Sequence, residues 1–459
     1  MALSRNPLVL IPQYFGCLVF DRRTSRYTPF DHEATGLLRE LHDRRIDAVL
    51  ASIPDADERE AAGRFFACFY ERGFFGLDGR LAADVLDVYV PADHLVGPLA
   101  VHLEVVGACN LTCSHCFAGE LPRNRNPLAV AEMDILFGDL ARLGSMRLGL
   151  AGGEPLLRKD LCDILDAAVG HGLHPCLTTN GLLLTESLAR QLGRRELVWL
   201  NVSLEGPDAA TNDAVRGAGT FAAVVENLKI LRRHARFTLA FTIMQSNAAL
   251  VTQCAELAYR VGAHTAVFRP LYPAGVALQH LELMPSFSQY QHALDELADM
   301  ASPGADLRGL DPFSPDSRNA TQPQIHTSHT CGAGQHVCSV SVQGDVNPCS
   351  FLGPGFNAGN IRETPFPVLW REGRQFRQMR QPSSGGFQGG CRARAQAFAG
   401  SADAPDPWFE EYLSEKSLLH PGANVEAQFR SHAGGASALP LLPVPLFQPA
   451  ARESTPDAS

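Results

Sequence analysis

Between residues 100 and 275 short apolar runs alternate with stretches whose apolar positions recur at helical spacing. The runs fall at 101–106 (V-H-L-E-V-V), 146–151 (M-R-L-G-L-A), 174–178, 198–204 (V-W-L-N-V-S-L), 237–243 and 265–270. Helices are expected between them, for example over Asp160–Gly170, Glu186–Gly193 and Phe221–His234. Six strand-then-helix units in succession predict a parallel sheet. The expected architecture is a partial (β/α)6 TIM-like barrel, in which chemistry collects at the C-terminal ends of the strands.

The first hundred residues follow another rhythm. β-like runs at Leu8–Ile11, Cys17–Asp21 and Arg26–Thr28 precede a helix over His32–Asp43. Asp31 can cap that helix, and Ala34, Leu37, Leu38 and Leu41 share one face of it. A second helix is expected over Glu58–Arg72, with Ala61, Phe65, Cys68 and Phe69 on one face and Gly73 at its end. Residues 1–95 therefore read as a small winged-helix-like α+β module, with Pro91 and Pro98 punctuating the link onward. Residues 276–330 read as a connector with a helix over Ser286–Met300. Residues 331–415 form a further unit, and 420–459, rich in Pro, Ala and Ser without periodicity, are expected to be a disordered tail.

Composition narrows the function. The net charge of −10 argues against general nucleic-acid binding, which depends on neutralising phosphates. No run of apolar residues is long enough for a membrane-spanning helix. The N-terminal apolar stretch is too short for a secretory signal. Twelve cysteines without such a signal point to a cytoplasmic location, where thiols stay reduced and clustered cysteines usually mean metal. Cys17, Cys68, Cys162, Cys176 and Cys254 are scattered among apolar neighbours and read as small buried hydrophobes. The other seven fall in two groups.

The first group is Cys109, Cys113 and Cys116, in the run A-C-N-L-T-C-S-H-C-F just after the first barrel strand. Three thiolates this close can wrap one face of a cubane cluster. A closed [4Fe–4S] cluster takes four cysteines, so three leave one iron open to a small molecule. A partial zinc site is the alternative, but zinc also wants four ligands. Polar or glycine-rich sets end the following strands: G-G-E-P (Gly152–Pro155), T-T-N-G (Thr178–Gly181) and S-L-E-G-P (Ser203–Pro207), then Arg216–Gly217. All would face one mouth of the barrel.

Together these motifs resemble radical S-adenosylmethionine enzymes, over about residues 100–275. The resemblance implies a catalytic [4Fe–4S] cluster on Cys109, Cys113 and Cys116, with S-adenosylmethionine on its open iron. One electron then yields methionine and a 5′-deoxyadenosyl radical that abstracts a substrate hydrogen. By the same resemblance Glu154, with the Gly152–Gly153 backbone, binds the methionyl ammonium. Ser203 and Arg216 contact carboxylate or ribose, Asn180 lines the pocket, and His115 takes the place of an aromatic residue beside the adenine.

The second group is Cys331, Cys338, Cys349 and Cys391. With C-G-A-G, G-D-V-N-P-C, G-N-I, L-W and G-G-C-R-A, it resembles the SPASM extension of peptide-modifying radical enzymes, which normally binds two auxiliary clusters. Here four positions of the outer cluster are Gln378, Gln381, Phe387 and Phe409, none a thiolate. The four remaining cysteines would close one auxiliary [4Fe–4S] cluster; zinc is the alternative. Residues 1–95 loosely resemble the peptide-recognition domain of ribosomal peptide maturases, through L-V-x-D-x-x-T-x-x-Y (Leu18–Tyr27). That implies a precursor peptide as partner, its leader adding a strand to a sheet edge, and an electron donor such as flavodoxin or ferredoxin. The expected activity is oxidative modification of a peptide, such as a cross-link. Radical chemistry on a tetrapyrrole precursor or other small molecule, and a non-enzymatic iron–sulfur scaffold, are the competing readings.

Overall fold

The computed structural model describes residues 5–119, 126–300, 307–309 and 331–419. The expected tail at 420–459 lies outside the described residues, as does most of the stretch from 301 to 330.

The N-terminal residues fold into a four-stranded sheet in the order β3-β2-β1-β4. β1 (Leu8–Gln13), β2 (Gly16–Asp21) and β3 (Arg26–Phe30) are antiparallel neighbours, and β4 (Ala83–Val85) runs parallel to β1. Three helices follow β3: α1 (His32–Asp43), α2 (Ile46–Ala51) and α3 (Ala56–Tyr70). Asp31 caps α1 by accepting from the Ala34 N–H at 2.9 Å, and Asp55 caps α3. Alternation along the strands sorts their apolar residues to two faces. Leu8, Leu10, Cys17 and Val19 pack with Phe66 and Phe69 beneath the helices. Val9, Ile11, Leu18 and Phe20 point the other way, into the main core. Burial on both faces explains why β1 reads as an unbroken apolar run.

The main sheet has nine strands, in the order β11-β10-β9-β8-β7-β6-β5-β12-β13. Its centre is β5 (Ala100–Val106), β6 (Arg147–Gly152), β7 (His174–Thr179), β8 (Trp199–Ser203), β9 (Thr238–Ile243) and β10 (Thr265–Pro270), all parallel. The crossovers carry α4 (Val130–Arg142), α5 (Leu161–Gly170), α6 (Glu186–Gly193), α7 (Ala209–Arg216), α8 (Thr220–Leu231) and α9 (Val251–Val261). This is the α/β partial barrel expected from the alternating pattern.

Both edges extend past the six expected strands. β11 (Leu307–Gly309) adds to β10. β12 (Val337–Val340) runs parallel to β5, with Cys338 opposite Val101, and β13 (Val346–Asn347) turns back beside it. The stretch read as a connector also carries α10 (Phe287–Asp299), whose Phe287, Tyr290, Ala293, Leu294 and Leu297 are buried in the main core. The C-terminal helices are α11 (Phe366–Glu372), α12 (Arg374–Arg380), α13 (Arg392–Ala399) and α14 (Pro407–Leu419). Trp408 of α14 stacks on Tyr290 with ring centroids 5.2 Å apart. The C-terminal region is thus continuous with the barrel rather than appended to it.

The N-terminal sheet docks at the end of the barrel where the strands begin. The Tyr27 hydroxyl donates to Gly144 O at 2.8 Å and accepts from the Met146 N–H at 2.6 Å. Arg147 Nε donates to Ser25 O at 2.7 Å, and Phe20 meets the His174 ring edge-on at 4.9 Å. Met146, Arg147 and His174 stand at the N-terminal ends of β6 and β7. The opposite end, where the strands finish, is left for chemistry.

Candidate active site

The cysteine loop begins three residues past β5 and is pinned from several sides. The Ser114 N–H donates to Val215 O at the end of α7 (3.3 Å), and the Val276 N–H to Cys116 O (2.9 Å). Cys116 N–H closes back on Cys113 O at 3.3 Å. Cys109 is exposed, and Cys113 and Cys116 are half-buried. Burial pushes the Cys113 thiol up to about 11, against the pull of the Arg216 guanidinium. Cys116 raises the proton affinity of Cys109, and Cys116 and Cys109 raise that of Cys113, so the three stand within electrostatic reach of each other.

The G-G-E-P turn lies directly against this loop. Gly153 N–H donates to Val106 O at 2.7 Å, and Glu154 N–H to Ala108 O at 2.8 Å. A Cβ on Gly153 would stand 2.1 Å from Ala108 O, and one on Gly152 2.3 Å from Val106 O. The two glycines are therefore required for the turn to close on the cysteine loop, whatever they also offer a ligand. Glu154 is 1% exposed. Its carboxylate accepts from Thr179 Oγ1 (2.6 Å), the Leu156 N–H (3.0 Å) and the Asn180 N–H (2.7 Å). Burial raises its proton affinity, and those three donors oppose the rise. The carboxylate thus ties the end of β6 to the end of β7. Each oxygen can accept more than one donor, so this leaves capacity for a ligand ammonium. Asn180 Nδ2 reaches Asn110 Oδ1 at 2.7 Å, tying the third motif to the cysteine loop as well.

Reading the sequence missed the residue that organises the opposite wall. Glu205, the acidic position of S-L-E-G-P, is 1% exposed. Its Oε1 lies 3.1 Å from His115 Nε2 and accepts from Arg216 Nη2 at 2.7 Å, while Oε2 accepts from the Thr242 N–H at 2.7 Å. Burial alone would raise this carboxyl, but His115 and Arg216 outweigh it and hold the carboxyl below its usual range. His115 Nδ1 is buried and makes no hydrogen bond among the described residues, which suits a ring set against a ligand. A second acidic residue was equally unannounced: burial pushes Glu104 of β5 up to about 7. What could have flagged Glu205 is an acidic residue two positions past a buried strand, since such a charge needs a partner.

A cleft of about 330 Å³ opens beside the loop, walled by Cys109, Asn110, Leu111, Thr112, Arg216 and the start of α8. That volume falls within the usual range for small-molecule sites. Of the predicted residues, Cys109 and Arg216 line it directly. Glu154, Asn180 and His115 join it through Asn110 and Glu205. Ser203, at the end of β8, is not among its walls.

The second cysteine group also converges. Cys338 sits on β12, Cys391 caps α13, and Cys331 and Cys349 lie in the flanking loops. Cys331, Cys349 and Cys391 pack among Ala333, Leu352, Met379 and Phe351. Burial raises the Cys338 and Cys349 thiols well above the ordinary value and Cys391 to about 12, with Cys349 sensing Cys331 and Cys391. Among the described residues no trio of His, Cys, Asp or Glu is close enough to chelate one metal ion. At the outer positions, Gln378 and Gln381 are exposed, Phe387 lies under the Arg392 guanidinium (4.3 Å), and Phe409 is buried in the main core.

The Radical SAM superfamily profile matches residues 103–245, and that of SPASM, an iron–sulfur cluster-binding domain, matches residues 331–393. The mycofactocin maturase MftC of Mycobacterium tuberculosis is 31% identical over 340 residues, covering 71% of this chain and 86% of its own. The PqqA peptide cyclase of Xanthomonas euvesicatoria is 29% identical over 75% of this chain and 93% of its own. The AdoMet-dependent heme synthase of Methanosarcina barkeri is 30% identical over 68% of this chain and 96% of its own. Among solved structures, Streptococcus suis SuiB bound to its precursor peptide SuiA shares the fold, with a TM-score of 0.64 over 88% of this chain and 99% of that one at 14% identity. The chain belongs to the radical SAM superfamily, enzymes that use a [4Fe–4S] cluster with S-adenosylmethionine, and carries the SPASM iron–sulfur domain at its C-terminal end.

Proposed function

We propose that this enzyme matures a ribosomally made precursor peptide. The observation that carries the reading is the pairing of two features: a three-thiol loop at the open end of the barrel, and a separate N-terminal sheet whose edge strand β3 flanks an aromatic helix. Phe30 of β3 lies 5.8 Å from Phe65 and 6.0 Å from Phe69 of α3, ring to ring. An extended leader adding to that edge gains backbone hydrogen bonds and an apolar flank. Relatives that mature mycofactocin and cyclise the PqqA peptide support the same substrate class. A tetrapyrrole substrate, as in the heme synthase relatives, would leave this edge without a ligand.

Cys109, Cys113 and Cys116 would hold the catalytic cluster, which with S-adenosylmethionine supplies a radical able to take hydrogen from carbon. The chain's own residues set its place. The Gly152–Gly153 turn and Glu154 meet the methionyl ammonium. Asn180 and His115 fix the loop on either side, and Arg216, steadied by Glu205, meets a carboxylate or hydroxyl. Ser203 would act from further off. Cys331, Cys338, Cys349 and Cys391 would hold one auxiliary cluster. An outside donor such as flavodoxin or ferredoxin gives one electron per turnover. Loss of one hydrogen atom to the radical, then of one proton and one electron, would complete the oxidation of the peptide; the auxiliary cluster on Cys331, Cys338, Cys349 and Cys391 would supply a place for that electron before it leaves to an outside acceptor. The net change is loss of a hydrogen pair, as a cross-link requires.

The test is anaerobic turnover of the reconstituted protein with dithionite, S-adenosylmethionine and a candidate precursor. The expected result is 5′-deoxyadenosine and a peptide lighter by a hydrogen pair, both abolished in Cys113→Ala. Turnover of a porphyrinogen but of no peptide overturns the reading.

A further inference from the structure

Arg380, the last residue of α12, holds a cation where the fold gives it few partners. Its Nε donates to Gly334 O at 2.9 Å, inside the loop that joins Cys331 to Cys338. The guanidinium lies over the Trp370 ring, 4.3 Å from the centroid, and 5.6 Å from that of Phe376. Both terminal nitrogens, Nη1 and Nη2, are buried and make no hydrogen bond among the described residues. Four N–H donors are thus shut away from water, and leaving buried donors unpaired is costly. The charged groups in range are Cys338, Asp93 and His94. Asp93 is engaged with His94 Nδ1 at 2.7 Å and its side chain is 84% exposed, so solvent screens it. Cys338, buried on β12 four residues past Gly334, is the partner left on the inside.

We propose that Arg380 is a hydrogen-bonding cation for the auxiliary cluster, its two terminal amino groups directed at the sulfurs around Cys338. This rests on reading Cys331, Cys338, Cys349 and Cys391 as cluster ligands. A buried positive charge beside an iron–sulfur cluster favours the more negative, reduced form, and hydrogen bonds to the sulfurs act in the same direction. The residue therefore raises the potential at which the cluster accepts an electron. Its position suits that role, since it lies between Gln378 and Gln381, two places where a thiolate for an outer cluster is absent. With no outer cluster to pull the electron onward, the inner one must accept it unaided, and Arg380 makes that easier.

The experiment uses the full chain with Cys109, Cys113 and Cys116 replaced by Ala, so that only the auxiliary cluster is read. About four irons per chain are expected after reconstitution; iron-free protein overturns the ligand reading itself, independently of Arg380. A mediated reductive titration followed by electron paramagnetic resonance then compares this protein with its Arg380→Gln and Arg380→Lys forms. Arg380→Gln is expected to lower the reduced-to-oxidised ratio at fixed potential roughly tenfold, about 59 mV for one electron. Arg380→Lys, which keeps the charge, should recover most of that shift. An iron-loaded Arg380→Gln protein with an unchanged midpoint overturns the proposal. Where Arg380→Gln does not fold, Arg380→Lys and the unmutated chain are both grown on guanidino-15N arginine, since Arg394 beside Cys391 also carries the label. A 15N coupling to the reduced cluster that the unmutated chain shows and Arg380→Lys lacks is expected in the spin-echo spectrum, and identical coupling in both overturns the proposal.

Discussion

Glu205 joins three stretches of chain that are far apart in sequence: the cysteine loop through His115, the end of α7 through Arg216, and β9 through Thr242. The Arg216 side chain is 9% exposed and that of Glu205 1%, so neither charge can turn to water if the other is lost. Breaking such a pair from one side costs more than the pair contributed, because a bare buried charge remains. Glu205→Gln keeps the shape and one acceptor but removes the charge. It is expected to destabilise the protein by roughly 3 kcal/mol, read from urea unfolding. It should also weaken S-adenosylmethionine binding, since Arg216 and His115 lose their common anchor. Glu205→Asp, which keeps the charge on a shorter stem, should recover part of both losses. Unchanged unfolding and unchanged binding in Glu205→Gln would remove this residue from the site.

At the level of elements, Tyr27 makes two of the polar bonds that join the N-terminal sheet to the barrel. Its hydroxyl closes the Gly144 carbonyl and the Met146 N–H, both at the root of β6. Tyr27→Phe leaves that donor and that acceptor buried and unpaired, so a loss of about 2 kcal/mol is expected in denaturant unfolding. A loss within a few tenths of zero would show that water reaches the joint. Tyr27 was visible in the sequence as part of a strand and of the Leu18–Tyr27 pattern, but not as a tie to the barrel, because its two partners lie on another element more than a hundred residues away. The same limit explains what else was legible. α1 and α6 were readable to the residue, since a capping side chain and helical apolar spacing are local signals. α2, with six residues, and β12, with four, carry too little pattern to stand out, and β12 is a strand because β5 and β13 flank it. The four motifs at the strand ends announced the site because glycines and cysteines declare close approach and metal by type. The Glu154 contacts to Thr179 and Asn180, and the Glu205 network, depend on which loops meet, which spacing along one chain does not encode.

For the whole molecule, the placement of the two functional ends sets a constraint on the substrate. The N-terminal sheet sits at the roots of β6 and β7, while the cysteine loop follows the far end of β5. β5 has seven residues, so the two ends are separated by about 20 Å, at ~3.3 Å per residue. A peptide held at the β3 edge must span at least that distance before a residue can enter the mouth. Fully extended chain covers at most ~3.3–3.6 Å per residue, so about six residues are the minimum between the docked leader and the modified position. Passing around the outside of the barrel raises the requirement. Excess length costs little, since each doubling of a flexible linker adds only about 0.6 kcal/mol. The expected behaviour is therefore asymmetric. Precursors with the spacer cut to two or three residues should bind the protein as tightly as the parent in a fluorescence anisotropy titration, yet emerge unmodified by mass spectrometry. Precursors with the spacer doubled should be modified at nearly the parent rate. Modification at full rate with a two-residue spacer would mean that the leader docks beside the mouth, and the β3 edge would lose its assigned role.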